Sequence, residues 1–352
     1  MHSFTAASCH LPAASCPLVT NRTVSDIGEH ALISRITQRL AKPSWVVVGP
    51  GDDAAVLRPE RGTFDVLTTD AIVEGVHFDR RFVPPDAIGH RALAVNLSDL
   101  AAMGARPRAA LLSFVLPDQL EVADVDAMVD GLVALADTHR VAIVGGNITR
   151  SPRLGSGQGP GPLMIDVTAT GSVKPRRVLT RAGARPGDEV YVTGTLGGAA
   201  LGLKFFRSGA DLSGPPGRGP EGSAPLVEKY LRPVPRVRMG MLLGRNRAAS
   251  ACIDLSDGLA DGLRQIAAAS GVGIAVDEAS IPAVSGSETF YSDDYELLFT
   301  SRPAWKGRLR AVKSQAGDLP ITRIGLVTKG GGVVLRTASG ERELPAGYEH
   351  FR

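Results

Sequence analysis

The chain has 352 residues, 43% of them hydrophobic and 21% charged, with a net charge of +3; this is the profile of a folded globular protein of about two domains. No five like charges run together and aromatic residues make up 5%, so neither a basic arm nor a base-stacking surface for nucleic acid is indicated. No apolar run reaches the ~18 residues needed to span a bilayer, and Cys9, Cys16 and Cys252 form no CxxC pattern or disulfide framework, which fits a reducing, cytoplasmic setting.

Residues 1–24 lack the basic start and continuous apolar stretch of a signal peptide and read as a disordered extension. A helix is predicted over Asp26–Leu40, from a capping-box-like Asp26/Glu29 pair and from Ile33, Ile36 and Leu40 at helical spacing. Short strands follow at Trp45–Val48, Ala54–Leu57 and Val66–Thr69, with Gly49-Pro50-Gly51 as a turn. Residues 86–103 read as a helix, Ala109–Leu116 as a buried strand, Val122–His139 as a helix and Val141–Val144 as a strand. The acids between Asp118 and Asp137 fall at helical spacing and read as a solvated face.

The cluster SPRLGSGQGPGP at 151–162 reads as a linker, dividing an N-terminal domain over 25–150 from a second domain over 163–352. Strands are predicted at Leu163–Val173 and Glu189–Val192. The Gly-rich stretch at 192–203 matches no phosphate-loop pattern and reads as a strand–turn–helix corner, with a helix from Gly197. Residues 207–225 read as a mobile loop. Helices follow near 225–232, 236–245 and 257–269, and strands at Gly273–Val276, Glu296–Thr300, Ile321–Val327 and Val333–Leu335. Strands and helices mix in both halves, so the class is α/β or α+β.

The chemistry is carried by carboxylates at strand ends and turns. They are Asp52 and Asp53 in GPGDDAAVL, Asp70 in LTTDAIVEGVHF, Asp99 in NLSDLAAMGA, and Asp254 and Asp257 in IDLSDGLADGL. One such Asp is ordinarily a turn residue or a helix cap. Several around one cleft would repel one another unless cations neutralised them. Mg²⁺, with one or two carboxylates, waters and substrate phosphates, suits such a donor set.

GDDAAVL, TTDAIVEGVHF, ALAVNLSDLAAMGARP, LTRAGARPGDEVYVTGT, IDLSDGL and DDYELLFT occur in this order. Together they resemble the thiamine-monophosphate kinases of the AIR-synthetase-like (PurM-like) ATP-binding superfamily, from about Ser25 to Phe351. GDDAAVL or IDLSDGL alone would leave other superfamily enzymes open; the TTDAIVEGVHF and DYELLF pair favours the thiamine enzymes. A homologue that binds thiamine phosphates without turnover is the further alternative, and Asn147 is its support.

The resemblance implies two α/β domains, with the N-terminal sheets of two subunits pairing in a homodimer and an active site between the domains. It implies ATP- and magnesium-dependent phosphorylation of thiamine monophosphate to thiamine diphosphate, by direct in-line transfer and without a dedicated catalytic base. Asp53, Thr68, Thr69, Asp70, Asp99, Asp254 and Asp257 match magnesium ligands. Gly146, Asn147, Arg181 and Ser256 match ATP contacts, and His77, Asp293 and Tyr348 match substrate contacts. Two positions depart from the family pattern. Asn147 stands where a metal-ligating Asp is usual and brings a carbonyl oxygen without charge. Asp293 stands where Glu is usual and is one methylene shorter.

Overall fold

The computed structural model describes residues 22–153, 160–207, 223–284 and 287–345. Most of the expected N-terminal extension and of the 207–225 loop lies outside them.

The chain enters through α1 (Val24–Ile27) and α2 (Glu29–Thr37). These two short helices replace the single one expected. Thr23 and Asp26 form the capping box, and Gly28 (φ 75°) breaks the helical path, a conformation that glycine adopts without steric cost. β1 (Val46–Val48) and β2 (Val56–Leu57) make a small antiparallel pair. Next come β3 (Phe64–Val73), α3 (Pro85–Ala102), β4 (Arg106–Leu116), α4 (Val122–His139), β5 (Ala142–Arg150) and β6 (Met164–Val173).

β3, β6, β4 and β5 form one four-stranded sheet in that order. The expected boundary at 151–162 is therefore corrected: this segment joins two strands of the same sheet, and β6 pairs with β3 from Phe64↔Val173 to Val73↔Met164. α3 and α4 cover one face. The other face is open over much of its area, with Leu67 69% and Leu111 42% exposed; β1 and β2 cover part of it by packing Trp45, Val46 and Leu57 against Ala109, Ala142 and Val144. The acids of α4 are only partly solvated, because Arg35 and Arg39 of α2 pair with Asp126 and Asp130.

The second half contains β7 (Glu189–Thr193), α5 (Gly198–Arg207), α6 (Ser223–Leu231), α7 (Val237–Asn246), β8 (Ala251–Asp254) and α8 (Leu259–Ser270). It continues through β9 (Gly273–Asp277), β10 (Leu297–Ser301), α9 (Lys306–Lys313), β11 (Ile321–Thr328), β12 (Val333–Thr337) and β13 (Gly340–Glu343). β8, α9 and β13 have no counterpart in the sequence reading. The seven strands form one mixed sheet, ordered β13-β12-β9-β11-β7-β10-β8. Its strands alternate sides. Tyr191, Cys252 and Phe299 face the core shared with α3, while Val190, Ile253 and Leu298 face α8.

One apolar cluster thus runs from the first sheet through α3 into the second half. α3 packs against α4, β3, β6, α7 and β8, and only Pro85, Asp86, His90 and Asp99 on it escape full burial. Such a helix is apolar nearly all round, as burial on every side requires. Glycines permit the close approach. A Cβ at Gly89 would lie 1.7 Å from the Met128 carbonyl oxygen, and one at Gly131 would lie 2.0 Å from that of Asp86. These reciprocal positions let the α3 and α4 backbones touch. A Cβ at Gly131 has backbone in its way, so Gly131→Ala is expected to cost about 2 kcal/mol or more, at the upper end of overpacking penalties. Gly307→Ala, in exposed α9 with nothing within 4 Å, is expected to be neutral or slightly stabilising. Denaturant midpoints of the two variants check the contrast.

Candidate active site

The C-terminal half of α3 carries two adjacent polar residues, of which Ser98 reaches the second half of the chain and Asp99 reaches the first sheet. The Ser98 hydroxyl donates to Asp254, at the end of β8, at 2.7 Å. Asp99 accepts a short hydrogen bond from the Thr68 hydroxyl of β3. Asp70 follows two residues later on β3, on the same side as Thr68. Asp257 lies in the turn between β8 and α8, and Ser256 donates to it at 3.4 Å.

Asp70, Asp99, Asp254 and Asp257 act on one another electrostatically. Partial desolvation, then Asp99, Asp166 and Asp257, push the Asp70 carboxyl up to about 6, although its side chain keeps access to solvent. Burial, then Asp99, raise Asp254 as well. Asp99 is raised by burial against the opposing pull of Thr68 and of Arg181. Mutual repulsion with desolvation is the signature of an acid group lacking counter-charge. Arg181 is the cation beside it, exposed and hydrogen-bonded to Gln265 of α8.

Asp166 was not anticipated. It sits on β6 and accepts from the Thr69 hydroxyl at 3.2 Å. Its signal was slight: a lone acid in an alternating strand reads as solvent-facing. Thr69 does not join Thr68 and Asp70, because alternation puts it on the sheet's open face, 3.0 Å from Thr168. Asn147 lies on that face too, in one row with Ser113 and Asp166. It is three strands from Asp70, so a single chain does not bring it to the acid group. Gly146 faces inward, where a Cβ would meet the Leu112 carbonyl oxygen at 1.9 Å, so its place is set by strand packing. Asp53 is exposed in the turn between β1 and β2, its N–H donating to the Asp52 carboxylate at 2.9 Å.

A second group forms beside the first half of α3. His77 follows β3 and accepts the Val73 N–H at Nδ1, 3.0 Å away; in the neutral ring the proton therefore sits on Nε2. Tyr230 of α6 donates to the His77 carbonyl at 3.4 Å. Arg91 lies over the Tyr230 ring and pairs with Asp293. Two predicted substrate residues, His77 and Asp293, are thus held in one neighbourhood. The third, Tyr348, lies outside the described residues.

The segment around Asp293 is anchored from several sides. Asp294 accepts the Gly197 and Ala199 N–H groups at 2.6 and 3.1 Å, and Ser292 accepts that of Ala200 at 3.1 Å. The start of α5 is thereby occupied by the protein's own side chains, which accounts for the Gly-rich corner without a phosphate. Tyr295 takes φ 52°. Glu296, fully buried, is held by Arg236 at 2.5 and 2.7 Å and by the Thr193 hydroxyl at 2.7 Å. Cys252 is a buried free thiol whose ionisation burial opposes. Two surface grooves lie elsewhere, one of them lined by Arg61, Lys174, Arg176, Arg177, Arg245 and Arg247. Among the described residues no helix is long and apolar enough to cross a membrane.

Comparison with known proteins matches two adjoining families: AIR synthase related protein, N-terminal domain, over residues 51–173, and the C-terminal domain of the same proteins over 185–338. The thiamine-monophosphate kinase of Bacillus subtilis (strain 168) is 34% identical, over 92% of this chain and 99% of that one. The structure of thiamine-monophosphate kinase from Stenotrophomonas maltophilia K279a superposes with a TM-score of 0.77 at 38% identity, over 91% of this chain and 98% of the other. AaThiL complexed with AMPPCP and TMP superposes with a TM-score of 0.70 at 30% identity, over 94% and 100%.

Proposed function

The chain belongs to the thiamine-monophosphate kinases of the AIR synthase-related family, and from that premise we propose that it phosphorylates thiamine monophosphate with ATP, giving thiamine diphosphate and ADP. This would be the last step of thiamine diphosphate synthesis, and we place it in the cytoplasm. The observation that carries the reading is the acid group drawn from β3, α3 and the β8–α8 turn into one cleft.

The acceptor is a phosphate monoester whose second pKa is near 6, so at neutral pH it is already a nucleophile and needs no strong base. The obstacle is repulsion between two anions. Catalysis is then positioning and charge cancellation, with direct in-line transfer.

The donor set fits magnesium. The oxygens are hard, and the raised carboxyls of Asp70, Asp99 and Asp254 are short of positive charge. Magnesium takes much of its shell from water and phosphate, so a few carboxylates are enough. Asp70, Asp99, Asp254 and Asp257, with the Thr68 hydroxyl, would hold the ions; Asp53, in the β1–β2 turn over the sheet's open face, is not brought to them within one chain. When bound, magnesium would supply charge neutralisation and Lewis-acid polarisation of the phosphates. The reading uses neither Thr69 nor Asn147, whose side chains lie on the sheet's other face.

The remaining roles fall to the chain's own residues. Arg181 adds positive charge beside Asp99. Ser256 stands just before α8, where unpaired N–H groups favour a phosphate. His77 would donate from Nε2 to the acceptor phosphate, and Asp293 would contact the thiamine moiety. Tyr348 would offer an aromatic face to the cationic thiazolium.

The open face of the four-stranded sheet is assigned to pairing with a second subunit, since Leu67 and Leu111 stand exposed on it. Leu67→Glu is expected to shift the protein in sedimentation equilibrium from twice the chain mass of 36.8 kDa to the single mass. An unchanged dimer would remove this face from the assignment.

Purified protein with Mg-ATP and thiamine monophosphate is expected to yield thiamine diphosphate, read by chromatography. Asp70→Asn is expected to lower kcat by a factor of about 10²–10³ or more, the scale of losing one electrostatic contact at a transition state. Absence of product across a magnesium series would overturn the proposed reaction. Wild-type turnover by the Asn variant would remove Asp70 from the cation set.

A further inference from the structure

Arg91 is buried to 4% relative exposure in the first half of α3. A charge so placed is costly unless it is paired and hydrogen-bonded. Its guanidinium lies 5.0 Å from the centre of the Tyr230 ring and 5.8 Å from that of Tyr295. Nη1 donates to the Tyr230 carbonyl at 2.7 Å, and Nη2 donates to the Asp293 carboxylate. Nε has no acceptor among the described residues. Burial works against the charge, but Asp293, Tyr295 and Tyr230 together more than offset it, so the pKa of Arg91 is raised.

Asp293 keeps 29% of its side chain exposed, against 5% for Arg91. The carboxylate is thus held from behind and presented to solvent in front. The same arginine reaches the His77 turn through Tyr230, whose hydroxyl donates to the His77 carbonyl. Arg91 and Ser98 are seven residues apart, almost two turns, so they share a stripe of α3 at about 10 Å separation along the axis. One helix therefore places the Asp293 group at one end and the Asp254 link at the other.

We propose that Arg91 is a positioning residue for the acceptor: it fixes Asp293, which meets the thiamine moiety, and through Tyr230 the His77 turn, which meets the acceptor phosphate, as one subsite for thiamine monophosphate. This rests on the proposed assignment of Asp293 and His77 to the acceptor. Arg91 itself is behind the subsite and touches no reacting atom. A lysine there would keep the charge but lose the planar fork and the stacking between two rings.

The test is steady-state kinetics on wild type, Arg91→Lys, Asp293→Asn and the double variant, varying each substrate in turn. Arg91→Lys is expected to raise KM for thiamine monophosphate about tenfold, with KM for ATP within about twofold, because uniform binding of one substrate is what is lost. The double variant is expected to be no worse than Asp293→Asn alone, since the two act as one unit. Equal changes in both KM values, or a fall in melting temperature with KM unchanged, would make Arg91 structural only and overturn the proposal. Multiplicative effects in the double variant, or a wild-type KM in Asp293→Asn, would overturn it as well. If Arg91→Lys does not fold, Tyr230→Leu removes one stacking ring with both charges kept, and the same outcomes apply. Calorimetric titration with thiamine monophosphate reads the same contrast without turnover, so failure of the kinase reaction and failure of this inference are separable.

Discussion

A helix buried on every side has no solvent face on which to leave its polar residues. α3 is such a helix, and Arg91, Asn96, Ser98 and Asp99 all lie along it. Each must find partners inside the protein. Asn96 turns back to the Ala92 carbonyl of its own helix. The others reach outward: Arg91 to Tyr230 and Asp293, Ser98 to Asp254, Asp99 to Thr68. Those partners belong to different elements of both halves. Satisfying the polar residues of one helix is therefore what draws β3, β8, α6 and the segment before β10 around a common cleft.

The two ends of that cleft differ in electrostatic character. Around Arg91 the charges are matched and the hydrogen bonds are held by aromatic rings and backbone. Around Asp99 the acids outnumber the cations: desolvation raises Asp70, Asp99 and Asp254, and repulsion adds to it at Asp70 and Asp254. A matched region holds its geometry without a ligand. An unmatched one is stabilised when positive charge arrives. Recognition of an organic acceptor suits the first, and phosphate chemistry with divalent cations suits the second.

Strong periodicity made much of the fold legible. α4 was read to its last residue, and α3 to within one at each end. β8 was missed because four residues leave almost no alternation to detect. α9 was missed because only Leu309 and Val312 are buried on it. The linker reading failed for another reason. Glycine and proline mark a loop, but whether the next strand returns to the same sheet is a non-local fact, and β6 does return. The acids were legible as a set, since each stands at a strand end or turn. Their relative faces were not: Thr69 and Asn147 turn away from Asp70 through strand parity, and on β5 that parity is altered by an irregularity opposite Ala110 and Leu111. Arg91 had no signal, because an arginine between His90 and Ala92 reads as a solvent-facing helical residue.

The four-stranded sheet has a consequence for synthesis on the ribosome. Its last strand in sequence, β6, lies in its interior between β3 and β4. A nascent chain that has emerged only to β5 holds two unconnected pieces, β3 and the β4–β5 pair, with no middle. Arg91 must also wait for Asp293, which follows it by 202 residues in the chain. At about 5–20 residues per second that delay is roughly ten to forty seconds. Over that interval the face of α3 that packs against α7 and β8 waits for the second half of the chain, and Arg91 lacks its counter-charge. Vectorial folding can therefore settle α3 on α4 and the first sheet early, but it completes the helix's second face only when nearly all of the chain has been made.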